Sequence, residues 1–457
     1  MSQKLVILGA GESGLGAAQL GKKLGYEVFL SDAGSLSEQT KSMLNNMAVS
    51  FEEKGHTPAK IFSADLVVKS PGIPDSIALI VELHEREISV ISEIEFAFRY
   101  KNDKAKIIAI TGTNGKTTTT LLIYHLLKEA GLNVGIGGNI GVSLAKLISE
   151  NAFDYYVVEV SSFQLDSIDQ FKPDVAILLN ITPDHLDRYN YNFQSYVSSK
   201  FRITENLTSG DCLIYCADSE SVSEEIPKRN IDARLLTISS TIKNGMSAYI
   251  EDDYLVLNGD TNQRENDRIP VKETTLIGRH NMINAMAAIL AAVNVGVPLT
   301  EIRKGLATFR NAPHRLELVE SLQGIKFIND SKATNVDAVY YALDSINEPI
   351  IWVAGGIDKG NDYSTLKTLV GKKVKLLICL GKNNVPLKNA FGQLVEIQEC
   401  QSLDEVLNLA LDKGAFGDVV LLSPACASFD LFKNYEDRGD QFKKAIRNRM
   451  SIINAEA

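Results

Sequence analysis

The chain has 457 residues, of which 45% are apolar and 23% charged, and it carries a formal net charge of −10. These proportions exclude a disordered chain and fit a soluble globular protein of roughly three domains, at about 150 residues each. The acidic balance argues against a nucleic-acid binder, so any anionic substrate has to be met by local cations.

The chain opens on a short apolar run with a single preceding lysine, Lys4, which is not the pattern of a secretory signal. No apolar stretch approaches the roughly 20 residues a membrane span needs. A cytoplasmic location without membrane insertion is the expectation. The five cysteines, Cys212, Cys216, Cys379, Cys400 and Cys426, lie mostly in apolar runs and read as reduced, buried small hydrophobes.

The first segment, 1–98, alternates short apolar runs ("KLVILG", "EVFLSD", "ADLVVKSPG") with helical stretches, the pattern of parallel strands joined by crossover helices. "LVILGAGESGLGAAQL" places Gly9, Gly11 and Gly14 at dinucleotide-fingerprint spacing, with Asp32 downstream. Read alone, it supports a nicotinamide-dependent oxidoreductase. "RYKNDKAK" is charged, lacks a core pattern and reads as a linker.

The second segment, 99–311, begins with "IIAITGTNGKTTTT". A strand ends, Gly112 and Gly115 let the backbone curl, and Lys116 and Thr117 precede a helix. Backbone N–H groups of Thr113, Asn114 and Thr118 and their neighbours can cradle phosphates, Lys116 can reach the β- and γ-oxygens, and the Thr117 hydroxyl suits Mg²⁺. Ile110 stands where the strict phosphate-loop pattern has its first glycine.

Further on, "VVEVSSFQL" puts Glu159 at the end of a buried-type strand, where an ionised carboxylate needs a cation. "NITPDHLDRY" sets Asp184, His185 and Asp187 in a loop past the next strand; read alone this is a capped turn. The stretch from Cys212 to Gly278 turns β-rich and reads as a hairpin excursion, before "NMINAMAAILAAVNVG" resumes a helix.

The third segment, 312–457, alternates again through "IKFINDSKATN", "IIWVAGGIDKG", "VKLLICLG" and "DVVLLSPACASF". Each strand ends in small or polar residues, where open α/β sheets place ligands. The expected fold is three α/β domains: an N-terminal Rossmann-like domain, a central phosphate-loop ATPase-like domain with a β excursion, and a C-terminal Rossmann-like domain.

"TGTNGKTTT", "EVSSFQL", "NITPDHLDRY", "GRHNMINAMAA" and "HRLE" resemble the central signatures of the Mur ligase family, ATP-dependent amino-acid ligases of peptidoglycan precursor synthesis. "NDSKATN", "AGGIDKG" and "LLSPACASFDLFKNYEDRGDQF" resemble its D-glutamate-adding branch. The resemblance covers essentially the whole chain, in order.

It implies that UDP-N-acetylmuramoyl-L-alanine, D-glutamate and ATP are the substrates of a monomer. Lys116 would hold the β- and γ-phosphates, with Thr117 and Glu159 on one Mg²⁺ and His185 at a second. Lys200, a solvated surface residue by composition, would be carbamylated by CO₂ and supply metal ligands. Asn281, His314, Arg315 and Asp330 would meet the nucleotide; without the resemblance Arg315 and Asp330 are ordinary surface charges. Lys332, Thr334, Lys359, Ser428 and Phe429 would form the D-glutamate site.

The first glycines then become a nucleotide-sugar site rather than a cofactor site. Gly11, Glu12, Ser13 and Gly14 would meet the UDP pyrophosphate through backbone N–H groups, Asp32 would face the uridine, Ser70 and Gly72 would complete the pocket, and Asn139 would touch the muramoyl end. "SDAGSL" after Asp32 offers no basic side chain to grip the diphosphate. A folylpolyglutamate synthase-like ligase is the related alternative. Because third-segment residues must approach Lys116, the resemblance also implies domain closure on ATP binding.

Overall fold

The computed structural model describes residues 2–242, 245–258, 267–358 and 360–456. Lys359, expected in the D-glutamate site, lies outside the described residues.

Three sheets carry the fold. The first holds β1 (Lys4–Leu8), β2 (Glu27–Ser31), β3 (Ser50–Glu52), β4 (Leu66–Lys69) and β5 (Val90–Ser92). They are all parallel and run in the order β3-β2-β1-β4-β5. The order reverses direction between β1 and β4, which makes the carboxyl ends of those strands the ligand crevice. The strands are short apolar runs because both faces are covered: Leu5, Ile7 and Val68 pack on one side, Val6, Leu8 and Val67 on the other.

The second sheet is built on β6 (Lys106–Thr111), β7 (Val134–Gly138), β8 (Tyr155–Glu159) and β9 (Val175–Leu178). It continues through β10 (Cys212–Cys216), β11 (Arg234–Ser239), β12 (Ala248–Glu251), β13 (Tyr254–Leu257) and β14 (Asp267–Pro270). Its order is β14-β13-β12-β11-β10-β9-β6-β8-β7. The expected hairpin is β12–β13, which pair antiparallel, and β14 pairs antiparallel with β13. The β-rich stretch stays in the sheet: β10 lies parallel between β9 and β11, and β12 is parallel to β11. The excursion therefore narrows to the antiparallel edge.

Residues Met1–Thr275 and Ile283–Phe309 form one compact unit holding both sheets. Glycines make the join close. The Glu12–Lys23 helix packs on the Leu144–Glu150 helix, and a Cβ on Gly16 would stand 1.9 Å from the Ser143 hydroxyl. The charged run after Arg99 is not a loose tether, because Tyr100 stacks edge-on with Tyr26 and Phe96, and Ala105 is buried.

The third sheet lies in the second unit, Leu276–Met282 with Arg310–Ala457. Its strands are β15 (Glu317–Leu322), β16 (Ile325–Asn329), β17 (Ile350–Ala354), β18 (Val374–Leu380), β19 (Glu396–Cys400) and β20 (Val419–Leu422). The order is β15-β16-β20-β17-β18-β19, parallel except for the β15–β16 pair. Trp352, the single tryptophan, is fully buried on β17 and donates its indole N–H to the Ser423 carbonyl at 2.8 Å. All five cysteines are buried thiols, as the sequence implied.

Candidate functional site

At the β1/β4 crevice the chain turns through Gly9 and enters the Glu12–Lys23 helix with Gly11 as an extended N-cap and no side-chain cap. The first-turn N–H groups, including those of Glu12 and Ser13, thus point to an uncapped, partly positive helix end, which suits phosphate. Gly14 is required by contact: a Cβ there would sit 1.9 Å from the Gly9 carbonyl oxygen. Ser70, at the end of β4, reaches the Gly9 carbonyl at 3.5 Å.

Asp32 is engaged by the backbone. One oxygen accepts the Ala10 N–H and the other the Gly34 N–H, each at 2.7 Å. It braces the glycine turn, so its fitness to face a uridine rests on its remaining lone pairs. A cation missing from the sequence reading arrives from the second sheet: Arg188 donates to the carbonyls of Gly72 at 2.9 Å and Pro71 at 3.2 Å, with its guanidinium 4.4 Å from the Phe163 ring centroid.

The phosphate loop leaves β6 at Gly112 and enters the Lys116–Glu129 helix at Gly115, whose φ of +86° and close approach to Asn284 exclude a side chain. Asn180, just past β9, holds the loop from outside: its carbonyl accepts the Thr113 N–H at 2.7 Å and its side chain the Asn114 N–H at 2.8 Å. Lys116 folds back to the carbonyls of Gly112 and Thr113, both at 2.7 Å. Thr118 is buried in the helix's first turn.

Glu159, 2% exposed at the end of β8, accepts from the Thr117 hydroxyl at 2.8 Å and the exposed Asn139 amide at 2.9 Å. One carboxylate thus joins the phosphate loop to the loop expected to touch the acceptor. Hydroxyl and carboxylate oxygens beside a phosphate cradle are the hard donors Mg²⁺ prefers, so Thr117 and Glu159 fit that ion.

Lys200 is 2% exposed, not solvated as composition alone implies. The Phe193–Phe201 helix drives its side chain inward to the Gly112 carbonyl at 2.8 Å, over the Tyr196 ring. Burial, then the neighbouring Lys116 charge, push its pKa well below the usual lysine value. His185 is different: it sits half-exposed in a left-handed turn, Nε2 3.7 Å from Asp184 and edge-on to Phe163.

In the second unit, the ends of β16, β20 and β17 gather the third-segment residues. Burial raises the Asp330 pKa to about 7, although its carboxyl accepts from the Ser423 hydroxyl at 2.8 Å and the Leu316 N–H at 3.1 Å. His314 is buried, its Nδ1 accepting from the Asn329 amide at 2.9 Å, and its carbonyl takes the Lys332 N–H. The Lys332 ammonium lies 3.7 Å from the Tyr435 ring centroid. The Thr334 N–H bonds the Lys332 carbonyl, Ser428 is buried, and Phe429 is 67% exposed. Arg315 is half-buried near Asp330, and buried Asn281 donates to the Ile277 carbonyl.

Sequence reading missed Arg438. Buried on the Tyr435–Glu456 helix, its guanidinium donates to the Ser331 hydroxyl and carbonyl at 2.9 Å and to the carbonyls of Gly355 and Cys426 at 3.4 Å. It ties together three loops that carry expected D-glutamate residues. Only its place inside the last quoted motif marked it. Asn180 and Arg188 escaped likewise, since their partners lie 66 and 116 positions away in the chain.

Comparison with known proteins gives one lineage from family models and relatives, and the same fold from solved structures. Residues 4–77 match the MurD N-terminal domain, 110–292 the Mur ligase middle domain, and 314–426 the Mur ligase glutamate ligase domain. A UDP-N-acetylmuramoylalanine–D-glutamate ligase of Christiangramia forsetii is 49% identical, covering 98% of this chain and 100% of its own. That of Cytophaga hutchinsonii is 50% identical over 98% and 99%. Among solved structures, a UDP-N-acetylmuramate-alanine ligase from Thermotoga maritima aligns with TM-score 0.58 at 20% identity over 98% and 99% of the two chains, a likeness of fold.

Proposed function

The chain belongs to the Mur ligase family, and we propose that it joins D-glutamate to UDP-N-acetylmuramoyl-L-alanine with consumption of ATP, in peptidoglycan precursor synthesis. The observation that carries the reading is Glu159, buried between the Thr117 hydroxyl and the Asn139 amide. It couples nucleotide and acceptor at one carboxylate. The division into domains 1–98, 99–311 and 312–457 is supported by the three sheets. The enzyme works in the cytoplasm, as a monomer; among the described residues no helix is long and apolar enough to cross a membrane.

In the first step a carboxylate oxygen of the alanyl end bonds the γ-phosphorus as the bond to ADP breaks. Lys116 leaves the Gly112 and Thr113 carbonyls for the phosphates, and the uncapped helix start receives their charge. Thr117 and Glu159 would hold one Mg²⁺ and His185 a second, and metal bound there would supply Lewis-acid charge against the repulsion between the two anions. Arg315 and Asp330, with Asn281 and His314, serve the nucleotide. In the second step the D-glutamate amine, once deprotonated, attacks the acyl carbonyl; the tetrahedral intermediate then expels phosphate as the nitrogen gives up a second proton to leave the amide. Lys332, Thr334, Lys359, Ser428 and Phe429 hold the incoming amino acid.

Lys200 fits carbamylation because a nucleophilic amine must be unprotonated. Its burial beside Lys116 favours the neutral form, whose lone pair bonds CO₂ with loss of a proton. The carbamate then presents oxygens where an ammonium would repel metal.

One assay tests the whole reading: phosphate release from ATP, expected only when the UDP-linked acceptor and D-glutamate are both present. Turnover without D-glutamate, or equal turnover with L-glutamate or L-alanine, contradicts it. In CO₂-depleted buffer the rate is expected to fall and to recover with bicarbonate; no change removes the carbamate.

A further inference from the structure

The 53–57 turn brings a histidine to the carboxyl ends of β2 and β3, beside Asp32. The Lys54 N–H donates to the Gly34 carbonyl at 2.9 Å and the Gly55 N–H to the Asp32 carbonyl at 3.3 Å. Asp32 in turn takes the Ala10 N–H of the glycine turn. His56 is thereby fixed at the rim of the first-sheet crevice, on the uridine side of the expected UDP site.

Its tautomer follows from a three-residue relay. Ser31 Oγ lies 2.7 Å from both Glu52 Oε1 and His56 Nδ1. Glu52 also accepts from the Thr57 N–H at 2.8 Å and the Thr57 hydroxyl at 2.6 Å. Burial pushes its pKa up, but these hydrogen bonds and that from Ser31 outweigh it, and the net shift is downward. Glu52 is therefore an ionised carboxylate at neutral pH and accepts only.

The single Ser31 proton is then committed to Glu52, so His56 Nδ1 must be the donor to Ser31 Oγ. In the neutral ring Nε2 is left bare, a hydrogen-bond acceptor. No other described residue bonds it. Ser31 is fully buried, which protects the relay from water. Packing needs only a ring, whereas this relay decides which nitrogen carries the proton.

Uracil presents one donor on its pairing edge, N3–H, where cytosine presents an acceptor. In "SDAGSL" the nearby alternative, the Asp32 carboxylate, already takes the Ala10 and Gly34 N–H groups and has only its remaining lone pairs for the base. We propose that His56 reads the base of the UDP handle, its Nε2 accepting the uracil N3–H, with Ser31 and Glu52 as positioning residues. This rests on the reading that the first sheet binds the UDP-linked acceptor.

Calorimetric titration of the full chain with UDP, CDP and N3-methyl-UDP tests it. The wild type is expected to bind UDP about tenfold or more tightly than either analogue, because each leaves Nε2 without its donor. His56→Phe is expected to lose that preference while keeping its ATP affinity. His56→Gln, whose amide oxygen also accepts, is expected to recover part of it. Equal wild-type affinity for UDP and N3-methyl-UDP overturns the proposal, whatever the variants do. So does a His56→Phe protein with the wild-type ratio. A wild type that turns over acceptor and D-glutamate yet gives these results, or binds no UDP, overturns the proposal and leaves the ligase reading intact; absence of that turnover defeats the ligase reading itself.

Discussion

Glu93 plays no part in the chemistry above, yet it is fully buried at the start of the Glu93–Arg99 helix. One carboxyl oxygen takes the Ala145 N–H at 2.5 Å and the other has no partner among the described residues. Burial raises its pKa to about 7, with a smaller push from Glu12. The folded chain therefore holds a proton that the unfolded chain releases near pH 4.5, and stability falls as pH rises from there through about 7. The loss is on the order of 3 kcal/mol if fully expressed. Asp330 adds a loss of the same sign. Glu93→Gln keeps the acceptor for Ala145 without a charge, so its melting temperature should fall less than that of the wild type between pH 5 and 8; parallel pH profiles would show that Glu93 does not titrate there.

Residues of this kind show where sequence reading stops. Lys116 and Thr117 declare themselves because a phosphate loop is written in consecutive residues. Lys200 does not: its burial depends on which face of the Phe193–Phe201 helix meets Gly112, 88 positions earlier. Only the family resemblance marked it.

At the scale of elements, the strand–loop–helix units were legible because each is a local pattern. The Lys116–Glu129 helix follows its glycine loop, and the Arg279–Asn294 helix its alanine-rich run. What locks loops to one another was not, since Asn180 and Arg188 are ordinary loop polar residues until the sheets bring their partners near. Arg188, in the short helix Leu186–Tyr189 beside His185, holds the Pro71–Gly72 turn through two carbonyls. It thereby ties the turn of the proposed handle pocket to the loop of His185. Arg188→Ala is expected to raise KM for the UDP-linked acceptor about tenfold, from the loss of two charge-assisted hydrogen bonds. ATP affinity should stay unchanged, and Arg188→Lys should recover part of the loss. An unaltered KM in the alanine variant would rule out this role.

Across the whole molecule, three rounds of strand–helix alternation announced three sheets, the first parallel and the other two parallel except at one antiparallel edge. The union of the first two in one compact unit was not foreseeable, because it depends on Gly16 meeting Ser143 and on carboxylates of the first segment reaching the amino end of the Leu144–Glu150 helix. Sequence periodicity describes how an element faces its own core and is silent on which cores fuse.

The lone tryptophan gives the molecule an optical gauge. Trp352 donates to the Ser423 carbonyl, and the Ser423 hydroxyl donates to Asp330, so a single residue separates the indole from a carboxyl that titrates near 7. Intrinsic emission, undiluted by any second indole, should shift with a midpoint near pH 7 and lose that shift in Asp330→Asn. A pH-independent spectrum would break the link. If the shift is present, the proposed meeting of Asp330 with the nucleotide becomes readable by fluorescence in unlabelled protein.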